Sequence, residues 1–347
     1  ALPISASVLT SGTALSAAGN FFANGPSSVG SSRCNIAIGT AALCALTNAC
    51  YNIAFGFCAG RYMTTGSHNI MMGYQAAARC VTGTCNIAIG YASGGYSQGF
   101  GSHNIFLGTC AGMLMPSAGS SSHNIFAGFC SGACSGGCHN ISLGHSAGRQ
   151  NTGCYNIFIG LSAGCKNITG CHNIFIGRNT GCYGGGAYAC DVSSRNILIG
   201  SNSGGATTLG DNLFLGVYAG RCLWSTGTCR SMIFGNFAGC CLNCVTDSII
   251  GGFCSAACTT ACVVRSVIFG YCAGANQGAY QSVIIGGEAG VGGAGYTNTS
   301  TVLMGWRAGY CTTSGFNVII GAAAGCKITS GTDNVLLANF TEIGRAH

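Results

Sequence analysis

One short motif recurs along the chain and restricts its fold more than any other feature. It reads Asn, three mostly apolar residues, Gly, two variable residues, Ala or Ser, and Gly. With Asn as position 0, it starts at Asn35, Asn52, Asn69, Asn86, Asn104, Asn124, Asn140, Asn156, Asn173, Asn196 and Asn212. It continues at Ser231, Ser248, Ser266, Ser282 and Thr301, then returns to Asn317 and Asn334. These 18 repeats are spaced by 16–23 residues, and Gly holds position +4 in 17 of them. A repeat this short cannot bury its own apolar side, so neighbours must stack. The expected fold is all-β: a Cys-rich β-solenoid or β-roll of about 18 stacked coils of roughly 17 residues. At the usual strand spacing of about 4.8 Å, that predicts a rod of roughly 85 Å.

Each coil reads as a short strand, a Gly corner, a second extended piece and a polar turn. Gly at +4 and +8 supplies corner conformations with positive φ that other residues reach only at a cost. Asn at position 0 suits stacked side-chain amides, so Asn35, Asn52, Asn69, Asn86, Asn104, Asn124, Asn140, Asn156 and Asn173 are read as stacking residues. Just before position 0, Arg195, Asp211, Arg230, Asp247 and Arg265 alternate in sign over five consecutive coils. Opposite charges attract when directly opposed on neighbouring strands, so alternation predicts an in-register stack. Residues 34–340 form the expected solenoid domain, with 1–33 as an entry or cap segment. The end Glu342–His347 resembles translated sequencing-adapter read-through, so 341–347 are expected to be a non-native tail.

Composition narrows the class further. Charged residues are 5% and hydrophobic residues 48%, which excludes a disordered chain. The 60 Gly and 3 Pro follow no Gly-x-y period, which excludes collagen. No apolar run reaches the roughly 18 residues of a membrane helix, so no membrane partner is expected. Six acids, three of them (Asp211, Asp247 and Asp333) at one repeat position, do not make a general acid–base pair, so the chain is not expected to be an enzyme or to carry a cofactor. Net charge is +7, but the cations are dispersed, so no nucleic-acid partner is expected. Thr is irregular between coils, which argues against an ice-binding row.

The strand itself is apolar on both sides. Positions +1 and +3 share one side and are read as the core side. Position +2 is then expected to face outward, yet it holds Phe106, Phe126, Phe158, Phe175, Leu198, Phe214 and Ile233, with Ser142 its lone polar residue. A run apolar on both faces is buried on both faces. The expected cover for +2 is another copy of the chain, favouring a homotrimer; the alternative is a flattened coil whose own chain covers +2.

The 26 Cys fall on recurring repeat positions. Two disulfide geometries are natural. One closes a turn within a coil: Cys44–Cys50, Cys80–Cys85, Cys165–Cys171 and Cys222–Cys229. The other joins equivalent positions on adjacent coils: Cys110–Cys130 and Cys254–Cys272. Stacking at about 4.8 Å lies within the usual Cα separation of a disulfide. The metal candidates are His103, His123 and His139, in successive coils, with His172, Cys138 and Cys171. A stacked exposed side chain is the preferred reading, because the same repeat position also takes Tyr51, Tyr155, Arg195 and Asp211.

The stretches Thr65–Gly73 and Asn104–Gly112 resemble the Asn-x-Ala-Ile-Gly repeats of marine phage tail-fibre-like structural proteins. They are similar, more loosely, to the head repeats of trimeric autotransporter adhesins. The resemblance covers about residues 34–340. It implies a β-roll or β-solenoid in an extracellular or virion-surface fibre, often trimeric. The expected role is therefore a disulfide-braced structural or adhesive fibre segment. The alternatives are a glycan- or surface-binding solenoid module, with a cell-surface or glycan receptor as partner, and a Cys/His metal-binding scaffold.

Overall fold

The computed structural model describes residues 13–15, 19–23, 30–96, 101–115, 121–166, 169–181, 194–204, 210–221, 229–257, 262–292, 297–312, 315–326, 328, 331–337 and 339. They contain three-residue strands and turns and no helix. The chain forms two compact units, Ala1–Asn167 and Ile168–His347, and each is a β-solenoid.

In the N-terminal unit, β1 (Thr13–Leu15) runs antiparallel to β2 (Phe21–Ala23), and every later strand is parallel to its neighbour. Strands β3–β10 are Ile36–Ile38, Ile53–Phe55, Ile70–Met72, Ile87–Ile89, Ile105–Leu107, Ile125–Ala127, Ile141–Leu143 and Ile157–Ile159. Each pairs with the next in strict register: Ile36 opposes Ile53, and Ile141 opposes Ile157. Because β2 pairs with β3 in the same register, Asn20 occupies position 0 of an additional coil inside the segment read as a cap.

The C-terminal unit repeats this pattern. Its main sheet holds β11 (Ile174–Ile176), β12 (Ile197–Ile199), β13 (Leu213–Leu215), β14 (Met232–Phe234), β16 (Ile249–Gly251), β18 (Val267–Phe269), β20 (Val283–Ile285), β22 (Val302–Met304), β23 (Val318–Ile320) and β24 (Val335–Leu337). A second parallel sheet joins β15 (Cys244–Thr246), β17 (Cys262–Val264), β19 (Gly278–Tyr280) and β21 (Thr297–Thr299).

The inward side of the strand is the reverse of the one expected. Position +2 faces the core: Phe106, Phe158, Phe175, Leu198, Phe214 and Ile284 are all at 0% exposure. Positions +1 and +3 point outward and are half-buried or exposed. The cover for +2 comes from the same coil. The buried Ala, Ser or Thr at +7 is on the inside, as at Ala111, Ala163 and Thr180. A side chain at +8 would strike the +2 residue: a Cβ on Gly164 would lie 2.3 Å from the Phe158 ring. Coils with a small +2 residue are filled from elsewhere, and Leu43 and Met63 are buried beside Ala37 and Ala54. The flattened coil is thus the correct alternative, and no second copy is needed to cover +2. Ser142 also sits in this row, its hydroxyl buried between the strands of Phe126 and Phe158.

Gly at +4 has a different cause. Gly56 has a φ of 131°, and a Cβ there would sit 2.4 Å from the carbonyl oxygen of Gly73 in the next coil. Stacked backbones at this corner leave no room for any side chain.

Position 0 forms a buried hydrogen-bonded column. The N–H of Asn52 donates to Oδ1 of Asn35 at 2.9 Å, and its Nδ2 donates to the same oxygen at 3.0 Å. That Nδ2 also donates to the Gly66 carbonyl in the next coil. The N–H bond to the preceding Oδ1 recurs at Asn69, Asn86, Asn104, Asn124, Asn140 and Asn156, and Asn196 makes it to Asn173. A buried amide with its donors and acceptor satisfied avoids a cost of about 1–3 kcal/mol for each unmet group.

The change from Asn to Ser explains the second sheet. An Asn side chain spans from one coil to the carbonyl three residues before the next Asn, as Asn124 does to Gly137. The Ser side chain is shorter: Ser266 turns back to the Val264 carbonyl two residues earlier, while the Ser282 hydroxyl lies within hydrogen-bond distance of both the Tyr280 carbonyl behind it and the Asn298 carbonyl of the next coil. With no amide wedged between them, the segments before Ser248, Ser266, Ser282 and Thr301 pair backbone to backbone as β15, β17, β19 and β21. Position −3 changes accordingly. It is Gly66, Gly83 and Gly137 beside Asn, where a Cβ would press on the next carbonyl, and buried Val245, Val263 and Ala279 beside Ser.

Candidate functional site

The most distinctive surface is the outward side of the main strands. At +3 it presents Ile38, Met72, Ile89 and Leu107 in the N-terminal unit, and Ile199, Leu215, Ile285, Met304 and Ile320 in the C-terminal unit. Ile89 and Leu107 are each 39% exposed. In-register stacking makes these rows continuous within each unit. Contiguous apolar surface of this kind marks an interaction face.

Two rails flank the rows in sequence. At −1, every residue has a left-handed backbone, for example His103 with φ 62° and His123 with φ 60°. In the N-terminal unit this rail is aromatic except at Cys34 and Cys85. His103, His123, His139 and Tyr155 stack with ring centroids 4.7–4.8 Å apart. At +5, Phe57, Tyr74 and Tyr91 stack at 5.2 Å. These spacings match the strand separation, which is what brings the rings face to face. The rings therefore spend their faces on one another and offer their edges outward.

In the C-terminal unit the −1 rail is ionic from Arg195 to Arg265. Arg195 Nε lies 2.5 Å from Asp211, and Arg230 Nε lies 2.6 Å from Asp247. The Arg side chains hold the Asp211 and Asp247 carboxyls below the usual carboxylate range, chiefly by hydrogen bonding. The alternating charges of the sequence thus oppose one another across coils. A third pair, Arg307 and Glu288 at 2.6 Å, occupies position +6.

The histidines do not converge. Parallel imidazoles tilted by 7–10° aim their in-plane lone pairs side by side and not at one point. Among the described residues, no group of three His, Cys, Asp or Glu side chains is placed to hold a metal ion. Cys138 lies beside Cys154 and not in a His cluster, while Cys171 and His172 belong to the C-terminal unit.

One disulfide is formed among the described residues, Cys244–Cys262. It joins opposed residues of β15 and β17, with Cα atoms 4.6 Å apart. It is of the adjacent-coil kind, at a position the spacing argument had not selected. Cys44–Cys50, Cys80–Cys85, Cys165–Cys171, Cys110–Cys130 and Cys254–Cys272 are not bridged. Cys229 is described, but its suggested partner Cys222 lies outside the described residues, as does the 341–347 tail. The within-coil pairs fail for a geometric reason: side chains run toward the same position one coil away. Cys44 Sγ points to the Arg61 carbonyl at 3.2 Å. Cys80 is buried while Cys85 is exposed, and burial pushes the Cys80 thiol up to about 12. Cys110 and Cys130 hold the same repeat position one coil apart.

Comparison of the chain with family models, curated proteins and solved structures finds no match.

Proposed function

We propose that this chain is a structural or adhesive fibre segment of a virion or cell surface, and that it works as a homo-oligomer, with a trimer favoured. The observation that carries this reading is the outward apolar face at +1 and +3. The core is already filled by +2 and +7, so the outward rows are surplus to the fold of a single chain. Apolar rows left in water on a repeating scaffold favour lateral association, since burial yields about 25 cal/mol per Å². The role relies on rigidity and repetition, and no step of it needs a reacting group. A glycan-binding role gains no support from the aromatic rails, because sugar stacking needs open ring faces.

Sedimentation equilibrium tests this directly. The expected species is near three times the 34.7 kDa chain mass. The double variant Ile89→Lys, Leu107→Lys places charges on the outward row without touching the core and is expected to shift the protein toward monomer. A monomeric parent protein overturns the proposal.

A further inference from the structure

Position −2 forms a second rail of side chains, just inside the aromatic one. One hydrogen bond recurs along it: the N–H of one coil donates to the side chain at −2 in the next. Thr84 N–H donates to Ser102 Oγ at 3.0 Å, and Ser102 N–H donates to Ser122 Oγ at 3.0 Å. Cys50 does the same to Ser67 Oγ. Two coils further along from Ser102, both members of the pair are cysteines. Cys138 N–H donates to Cys154 Sγ at 3.1 Å, and the two sulfur atoms are 3.0 Å apart.

We infer that Cys138 and Cys154 form a reversible disulfide that clasps two adjacent coils of the N-terminal unit. Three observations support it independently of the oligomer. The sulfurs are already closer than two non-bonded sulfurs prefer, and only a small side-chain rotation separates them from bonding distance. Equivalent positions on adjacent coils fall at a bridging separation, as Cys244 and Cys262 demonstrate. Both thiols are partly exposed, so an oxidant can reach them.

The oxidant we assign is a small-molecule disulfide. The thiolate of one cysteine attacks it, forming a mixed disulfide and releasing one small thiol. The thiolate of the other cysteine then attacks the protein sulfur of that mixed bond and releases the second small thiol. Two protein thiols lose their protons and two electrons; the small disulfide is reduced to two thiols. A reducing small thiol reverses both steps.

The clasp fixes more than two sulfurs. Cys138 precedes His139 and Cys154 precedes Tyr155, whose rings stack at 4.7 Å with 2° between planes. Closing it would pin this stretch of the aromatic rail.

The probe is oxidised glutathione, applied to the whole chain, followed by alkylation and trypsin without reduction. Arg149 lies between the two cysteines, so the bond would join peptides 80–149 and 150–166, two hydrogens lighter than their sum. Cys165 shares the second peptide, and the variants resolve it. Cys165→Ser is expected to keep the link; Cys154→Ser and Cys138→Ser are each expected to lose it. Serine already occupies this rail with the same N–H bond, so these variants retain the fold, and circular dichroism checks that. A link that persists in Cys154→Ser, or alkylation of both Cys138 and Cys154 in the oxidised parent, overturns the inference.

Discussion

The Asn coils of the N-terminal unit and the Ser coils of the C-terminal unit close the same loop of chain by different means. In the first, a side-chain amide carries the contact between turns, and position −3 is small: Gly66, Gly83 and Gly137 in some coils, Ala49 and Ser121 in others. In the second, the backbone carries it through a second sheet, and position −3 becomes a buried apolar residue. The core also differs. Phe106, Phe126 and Phe158 fill the N-terminal unit, while Ile250, Ile268 and Ile284 suffice where Val245 and Val263 add bulk from the other wall. One position in the repeat therefore decides whether a coil has one sheet or two.

Exchanging the two solutions should break the fold most severely. Gly137→Val would set a Cβ 1.8 Å from the Gly153 carbonyl and 2.8 Å from Asn140 Nδ2. Backbone cannot move aside here without parting the coils, so loss of cooperative thermal unfolding is expected. The reverse exchange, Val263→Gly, only removes buried methyl groups and is expected to cost about 2–4 kcal/mol in denaturant unfolding.

The next effect tests the columns themselves. Asn124→Ala would strip the Asn140 N–H and the Gly137 carbonyl of the bonds they share with the Asn124 side chain, and would remove one of the two bonds that Asn104 Oδ1 accepts. At about 1–3 kcal/mol for a buried group left unsatisfied, a loss of about 3 kcal/mol is expected. Ser266→Ala deprives one buried N–H, that of Ser282, of its side-chain acceptor and should cost about 1–2 kcal/mol. Equal losses at both sites would mean that the amide column does not carry the Asn coils.

A chemical contrast separates buried from exposed thiols. With its thiol pushed up to about 12 by burial, Cys80 should resist iodoacetamide at pH 8 in the folded protein, whereas exposed Cys85 should react. Both should react in denaturant, as peptide mapping would show.

The smallest effect is expected on the ionic rail. The Asp211 and Asp247 carboxyls are held low by their Arg partners. Their contribution is therefore present above the ordinary carboxylate range and is lost as pH falls through the lowered values. Asp247→Asn should flatten that acid limb slightly, and the difference should shrink in high salt, because exposed ion pairs are screened.

The periodicity alone gave away most of the fold. Recurrence of Asn, Gly+4 and Gly+8 specified stacked parallel coils, and the alternation from Arg195 to Arg265 specified their register. The direction of the strand's two faces was not legible, because +1, +2 and +3 are all apolar. The distinguishing signal lay outside the strand: Gly at +8 leaves space for a large +2 residue, and the coil with Leu43 at +8 has Ala37 at +2. The second sheet had a visible signature too, the coincidence of Ser at position 0 with Val at −3. The extra coil at Asn20 was hidden because Gly does not follow at +4, where Asn24 stands. Cysteine pairing stayed obscure because spacing cannot distinguish a neighbour in the turn from a neighbour in the stack.

The buried column at position 0 has a sense. From Asn35 to Asn156, each backbone N–H at position 0 gives its hydrogen to the side-chain oxygen of the preceding coil, and the serine column of the other unit passes these bonds in the same order. Aligned donors and acceptors polarise one another, so the column acts as a wire of dipoles with unlike ends. A copy of the chain added at an end could prolong that wire only head to tail. Joined head to head, two columns would bring like poles together.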